Sequence, residues 1–98
     1  MSKIKIDMNN PEFQNNLFVL EKIEQSALIS TLRKIAQMSW DQLYKNKGLR
    51  WEEISNPTKV SKKIYSFRFS VKYRALAYRD EEFLRLLTLH TDHDSAYK

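Results

Sequence analysis

Arg68 and Arg74, followed by His93 and Tyr97 and preceded by Lys62 and Lys63, are the residues of this 98-residue chain best suited to chemistry on a phosphodiester. Cleavage of RNA through its own 2′-hydroxyl needs a base, an acid for the leaving oxygen and cations over the developing charge. His93 can serve as base or acid, and arginine and lysine can hold the charge without a metal. Each positioned acid or base contributes roughly 10² to 10⁴ in rate. Tyr97, with an ordinary pKa of about 10, needs strongly cationic neighbours to be more than a stacking platform or hydroxyl donor. The same arginines also read as surface strand residues paired with Asp or Glu, and Tyr97 as a side chain packed on a sheet edge.

The surroundings of these residues are basic. The chain carries a net charge of +5. The window from Lys59 to Arg79 contains Lys59, Lys62, Lys63, Arg68, Lys72, Arg74 and Arg79 and no acidic residue. Tyr65, Phe67, Phe69, Tyr73 and Tyr78 lie in the same window. Basic residues interleaved with aromatics suit a polyanion or an acidic protein partner. A solvated sheet with its aromatics turned into the core has the same pattern.

Other chemistries fit poorly. A single Gly cannot build a phosphate loop, and no nucleophile-elbow motif surrounds any Ser. The absence of Cys removes disulfides, thiolate metal sites and a cysteine nucleophile. His90-Thr91-Asp92-His93-Asp94 holds metal-ligand types, but an extended i, i+3 pair points to opposite faces, so no metal and no cofactor is expected.

Elements able to position the basic residues follow from hydrophobic period. At 42% apolar and 12% aromatic, 98 residues suit one domain, 1–98, which buries roughly 65% of the unfolded surface. Ile4 and Ile6 alternate with charged residues and predict a short edge strand. Asn10-Pro11-Glu12 predicts a helix start, with Phe13, Leu17 and Leu20 on its inner stripe. Leu28, Leu32, Ile35, Ala36, Ser39 and Leu43 form a second stripe at helical spacing. A break near Glu24-Gln25-Ser26, with Ser26 as the second cap, makes a helical hairpin. Gly48 follows Lys45 and Lys47 as a helix C-terminus does.

After Gly48 the period becomes two. Strands are expected over Leu49–Ile54, Lys63–Ser70, Lys72–Arg79 and Phe83–His90, with Ser66, Arg68 and Ser70 on a polar outer face and Asp80-Glu81-Glu82 as a turn. Short connections argue for an antiparallel meander. The fold class is therefore α+β, an N-terminal helical hairpin packed on an antiparallel β-sheet. Apolar runs go no further than stretches such as Leu17-Phe18-Val19-Leu20, against the ~20 residues of a spanning helix, and the N-terminus lacks a signal-peptide core. A soluble cytoplasmic protein without a membrane partner is expected.

The stretch from Tyr65 to Arg79, then Phe83 to His90, then His93-Asp94-Ser95-Ala96-Tyr97, resembles the RelE/ParE superfamily of bacterial toxins from type II toxin–antitoxin systems. Gly48-Leu49-Arg50-Trp51-Glu52 resembles the segment that opens the family's sheet. The resemblance covers nearly the whole chain and lies in the order and spacing of short motifs.

It implies a small basic toxin neutralised by a cognate acidic antitoxin that wraps its surface, in a toxin–antitoxin hetero-oligomer. RelE-like members cut mRNA on the ribosome without metal, whereas ParE-like members poison DNA gyrase and cleave nothing. By this resemblance Arg74 is the phosphate-contacting arginine that opens the central strand, and Arg68 takes a strand position where the nucleases carry a basic residue. Tyr97 is the C-terminal tyrosine that stacks on or orients the nucleotide, and His93 lies where relatives have Arg or His. Lys62, Lys63, Lys72 and Arg79 are assigned to RNA binding. The chain departs from the nucleases in placing Asp92 and Asp94 beside His93, and Ser66 where a second cation would strengthen the case. Three readings follow: a ribosome-dependent endoribonuclease, a non-enzymatic gyrase-binding toxin, and a non-toxic interaction module of the same fold.

Overall fold

The computed structural model describes residues 3–54 and 63–91. In chain order the elements are β1 (Lys5–Asp7), α1 (Pro11–Val19), α2 (Lys22–Ile35), α3 (Trp40–Lys45), β2 (Glu52–Ile54), β3 (Ile64–Arg68), β4 (Tyr73–Asp80) and β5 (Phe83–Thr91). The strands form a five-stranded sheet in the order β1-β5-β4-β3-β2. The class is α+β. No helix among the described residues is long and apolar enough to cross a membrane.

The expected meander is present, because β2–β3, β3–β4 and β4–β5 are all antiparallel. The sheet as a whole is mixed, however: β1 runs parallel to β5, with Ile6 opposite Leu84. The N-terminal strand takes the edge that the meander leaves open and so buries Ile4 in the core.

The helical half differs from the simple hairpin in where it breaks. Asn10 caps α1 as expected, its Oδ1 accepting from the Glu12 and Phe13 amides with Pro11 in the first turn. The break falls at Leu20 and Glu21, which are both extended, so Ser26 lies inside α2 and caps nothing. The Gln25 side-chain amide donates back to the Leu17 carbonyl at 2.9 Å, beside the Leu20 N–H, and so supports the C-terminus of α1, a role no capping motif announces. The long second stripe is also divided. It stops at Ile35, and a Ser39–Gln42 capping box starts α3. Between them the Met38 carbonyl accepts from the Ile4 amide, which fastens β1.

Only the second half of Leu49–Ile54 is strand, since β2 begins at Glu52. Gly48 does not take a left-handed conformation. Arg50 does, with φ 50°. Asn46 is the C-cap of α3, and its side chain accepts from the Leu49 amide.

Helices and sheet enclose one core. Phe13, Leu28, Ile35 and Leu43 from the helices meet Phe67, Ala75, Ala77, Leu84 and Leu86 from the strands, all essentially inaccessible. Each fully buried Leu, Ile or Phe contributes about 1.5–3 kcal/mol. Leu17 and Leu20 are only partly buried at its margin. The small Ala75 and Ala77 leave room on β4 for the helical side chains. Strand alternation then turns Arg74, Leu76 and Tyr78 to the opposite face.

Candidate functional site

That opposite face carries a row of cationic or protonatable side chains. Register places Arg68 of β3 directly opposite Arg74 of β4, and Arg74 directly opposite His90 of β5. The neighbouring row runs Glu52–Ser66–Leu76–Thr88.

His90 joins the row because of a β-bulge. From the β4–β5 turn the register runs Asp80 opposite Phe83 through Ala77 opposite Leu86, then shifts by one residue between Ala77 and Leu76. Unshifted, it would set Leu89 against Arg74. The extra residue instead sends Leu89 into the core and keeps His90 beside Arg74. The turn itself is a two-residue Glu81-Glu82 loop, with Glu81 at φ 56° as a hairpin matched to strand twist requires.

Arg74 is only 4% exposed. Its Nη2 donates to the Ser66 hydroxyl at 2.7 Å, to the Arg50 carbonyl at 3.0 Å and to the Glu52 carboxylate at 3.4 Å. A buried guanidinium requires oxygens around it and a charge to balance it, and this arrangement supplies both. The Arg50 contact ties the guanidinium to a residue whose left-handed backbone costs about 1–3 kcal/mol. Ser66, expected on an exposed polar face, is therefore fully buried, because the Arg74 side chain crosses to it from the next strand.

Arg68 is half-buried, and its amide donates to the Leu49 carbonyl at 2.7 Å, which fixes the end of β3. Arg68 borders a cleft of about 310 Å³ together with Lys34, Phe69 and Ser70. Lys34, in the last turn of α2, is a cation that sequence reasoning passed over. His90 is half-buried, with Nε2 2.7 Å from the Thr88 hydroxyl, which orients its ring.

The remaining expected site residues are dispersed. Lys63 is exposed just ahead of β3, and Lys72 is exposed in the connection to β4. Arg79 lies on the helical side. Its guanidinium is 4.3 Å from the Trp40 ring, and it donates to the Tyr44 hydroxyl at 3.0 Å and to the Glu81 carbonyl at 2.9 Å. Lys62, His93 and Tyr97 lie outside the described residues. Next to Arg79, Trp40, Tyr44, Trp51 and Tyr65 form an aromatic cluster in which Trp51 stacks on Tyr65 at 4.7 Å. Burial, reinforced by the Tyr44 hydroxyl, pushes the Tyr65 phenol above its ordinary range.

No protein-family model and no curated protein matches the chain. Solved structures do. A chain of the archaeal RelE–RelB complex from Pyrococcus horikoshii OT3 matches with a TM-score of 0.65 at 12% identity, over 96% of this chain and 98% of that one. This chain has a RelE-like fold. A copper-bound mutant toxin from Helicobacter pylori also matches, with a TM-score of 0.50 at 15% identity over 94% of this chain and 96% of that one. Within the RelE-like fold the motifs read from sequence fall at element starts: Tyr73-Arg74 opens β4, and Gly48–Glu52 leads into β2.

Proposed function

We propose that the protein is the toxin of a type II toxin–antitoxin system and cleaves mRNA on the ribosome without a metal. The observation that carries this reading is the Arg68–Arg74–His90 row on one face of a RelE-like sheet. Two guanidinium groups on directly paired positions concentrate positive charge where a phosphodiester can lie, and arginine suits phosphate geometry.

In the proposed reaction a base takes the 2′-hydroxyl proton and the 2′-oxygen attacks the adjacent phosphorus. The P–O5′ bond breaks, and an acid protonates the leaving 5′-oxygen, giving a cyclic phosphate and a free 5′-hydroxyl. Arg68 and Arg74 hold the extra negative charge of the pentacoordinate state. His93 is acid or base and Tyr97 positions the nucleobase, both on sequence grounds, while His90 is a second imidazole beside the phosphate. Lys62, Lys63 and Lys72 track the backbone of the RNA through charge, whereas Arg79, held on the helical side of the sheet by Trp40 and Tyr44, serves the fold. The protein works in the cytoplasm and is held inactive by an acidic antitoxin that its net charge of +5 attracts. The RelE–RelB complex supports such a partner.

A second reading, a non-enzymatic toxin that grips DNA gyrase through its helical hairpin, is favoured by one feature. Phe18, Val19 and Ile23 are 71%, 82% and 74% exposed at the junction of α1 and α2, an apolar surface suited to a protein partner.

Induced expression of wild type and Arg68→Ala, with growth and mRNA 5′ ends mapped together, separates the readings. The nuclease reading expects growth arrest with new cuts inside translated codons, both lost in the variant. Arrest without cuts transfers the case to gyrase, and unimpaired growth rejects the toxin.

A further inference from the structure

Arg74 already holds an anion. Of the oxygens on its Nη2, those of Ser66 and Arg50 are neutral, and the third belongs to the Glu52 carboxylate. The Glu52 side chain is 55% exposed, against 5% for Arg74, so the carboxylate is the solvent-facing member of the set. Its contact is also the longest of the three, at 3.4 Å. Glu52 opens a three-residue strand at the edge of the sheet, where a side chain can turn outward without disturbing a neighbouring strand.

We propose that Glu52 is a resident competitor for phosphate at Arg74: its carboxylate occupies the anion position and has to swing into solvent before a phosphodiester can reach the guanidinium. The inference rests on reading Arg68 and Arg74 as phosphate ligands. Ser66 and the Arg50 carbonyl keep the guanidinium in place when the carboxylate leaves, so the site stays built while it changes its anion. Carboxylate and phosphate make the same charge-assisted bonds to a guanidinium, and each excludes the other by repulsion.

The consequence is selectivity. A lone phosphate has only the Arg68–Arg74 pair with which to displace Glu52. A polynucleotide adds neighbouring phosphates that reach Lys63 and Lys72, exposed ahead of β3 and in the connection to β4. Glu52 therefore raises the threshold against free inorganic phosphate and small phosphorylated metabolites, and the polymer passes it through these further contacts.

The test is fluorescence anisotropy with a short 2′-O-methyl RNA, which cannot be cleaved through its 2′ position, on wild type, Glu52→Gln, Glu52→Ala, Glu53→Gln and Arg68→Ala. Glu53 is the matched control: it is exposed on the same strand but pairs with Tyr65 and so faces the other side of the sheet. Glu52→Gln is expected to tighten binding by roughly fivefold, the factor a partly exposed ion pair is worth, and Glu52→Ala to tighten it too, while Glu53→Gln leaves it unchanged. Unchanged or weaker binding by both Glu52 variants overturns the inference, since the carboxylate would then support Arg74. An equal gain in Glu53→Gln also overturns it, because overall charge would explain the effect. The phosphate reading is judged separately in the same titrations. If wild type binds and Arg68→Ala weakens binding, that reading stands whatever the Glu52 variants do. If neither wild type nor a Glu52 variant binds, both fall.

Discussion

The Ser66 hydroxyl, fully buried on β3, accepts from the Arg74 guanidinium at 2.7 Å from the neighbouring strand. Register pairs Ser66 with Leu76 and Arg74 with Arg68, so this bond runs diagonally between two rows of the sheet. It fixes where the guanidinium points. Ser66→Ala removes the acceptor and leaves a buried N–H partner short of one oxygen, which costs about 1–3 kcal/mol. The expected outcome is a lower midpoint in denaturant unfolding with an unchanged slope, together with weaker RNA binding. An unchanged midpoint would mean that Ser66 does not hold Arg74.

Arg74 itself needs a gentler substitution than alanine. Arg74→Ala empties a buried position and strips Ser66, Glu52 and the Arg50 carbonyl of one donor, so lost activity would be confounded with lost fold. Arg74→Lys keeps the charge but offers a point donor in place of a planar fork. The stability cost is expected to be about 1–2 kcal/mol, at the lower end for a disturbed buried polar network. Circular dichroism should show a folded protein, and mRNA cleavage should fall steeply. Full cleavage by a folded Arg74→Lys would separate the guanidinium geometry from the reaction.

Acid stability turns on the opposite edge of the sheet, where β1 lies against β5. Asp7 of β1 is bonded to Arg85 of β5, and Arg85 also donates to Asp80 at 2.8 Å. The Asn9 amide holds the Asp7 carboxyl below its ordinary range. Burial opposes this, and the Arg85 guanidinium adds to it. Arg85 is in turn held more firmly protonated by Asp80 and then Asp7. The folded pKa of Asp7 lies below its unfolded value of about 3.9, so its contribution is fully present above that value and is lost as pH falls through the folded one. Thermal melts taken from neutral pH down to about pH 2.5 should therefore show a steep acid limb. Asp7→Asn should melt lower at neutral pH and show a shallower limb. Parallel curves for the two proteins would assign the acid transition elsewhere.

Much of this architecture is visible in the sequence where a local rule dominates. Asn10-Pro11 marks α1, the alternation of Tyr65 to Phe69 marks β3, and Asp80 to Phe83 marks the hairpin. The Ser39-x-x-Gln42 box was legible too, but the continuous stripe from Leu28 to Leu43 overrode it. What local rules cannot supply is register. Period two makes Ser66 look exposed, and only the position of Arg74 one strand away buries it. His90 reads as part of a polar strand end until a single bulge residue between Leu86 and Thr88 turns it toward the arginines. Arg50 gives no sign of its left-handed backbone, and Gly48, the residue that would suit one, does not use it.

Arg79 distinguishes a basic residue that builds the fold from one that meets RNA. It falls in the same cationic window as Arg68 and Arg74, yet alternation along β4 puts it on the helical side, over the Trp40 ring and bonded to Tyr44. A cation over an indole at a partly exposed site is worth about 0.5–1 kcal/mol, and the hydrogen bonds add a comparable amount. Arg79→Ala is therefore expected to lower the melting temperature by several degrees, about 4–8 °C per kcal/mol for a domain of this size. The salt dependence of RNA binding should stay unchanged, whereas removal of a phosphate contact lowers that slope by about one. Arg68→Ala should do the reverse, with a reduced salt slope and a smaller thermal shift. If Arg79→Ala lowers the slope as Arg68→Ala does, the RNA path wraps around the β2 edge onto the aromatic cluster, and the interface is wider than the Arg68–Arg74–His90 row.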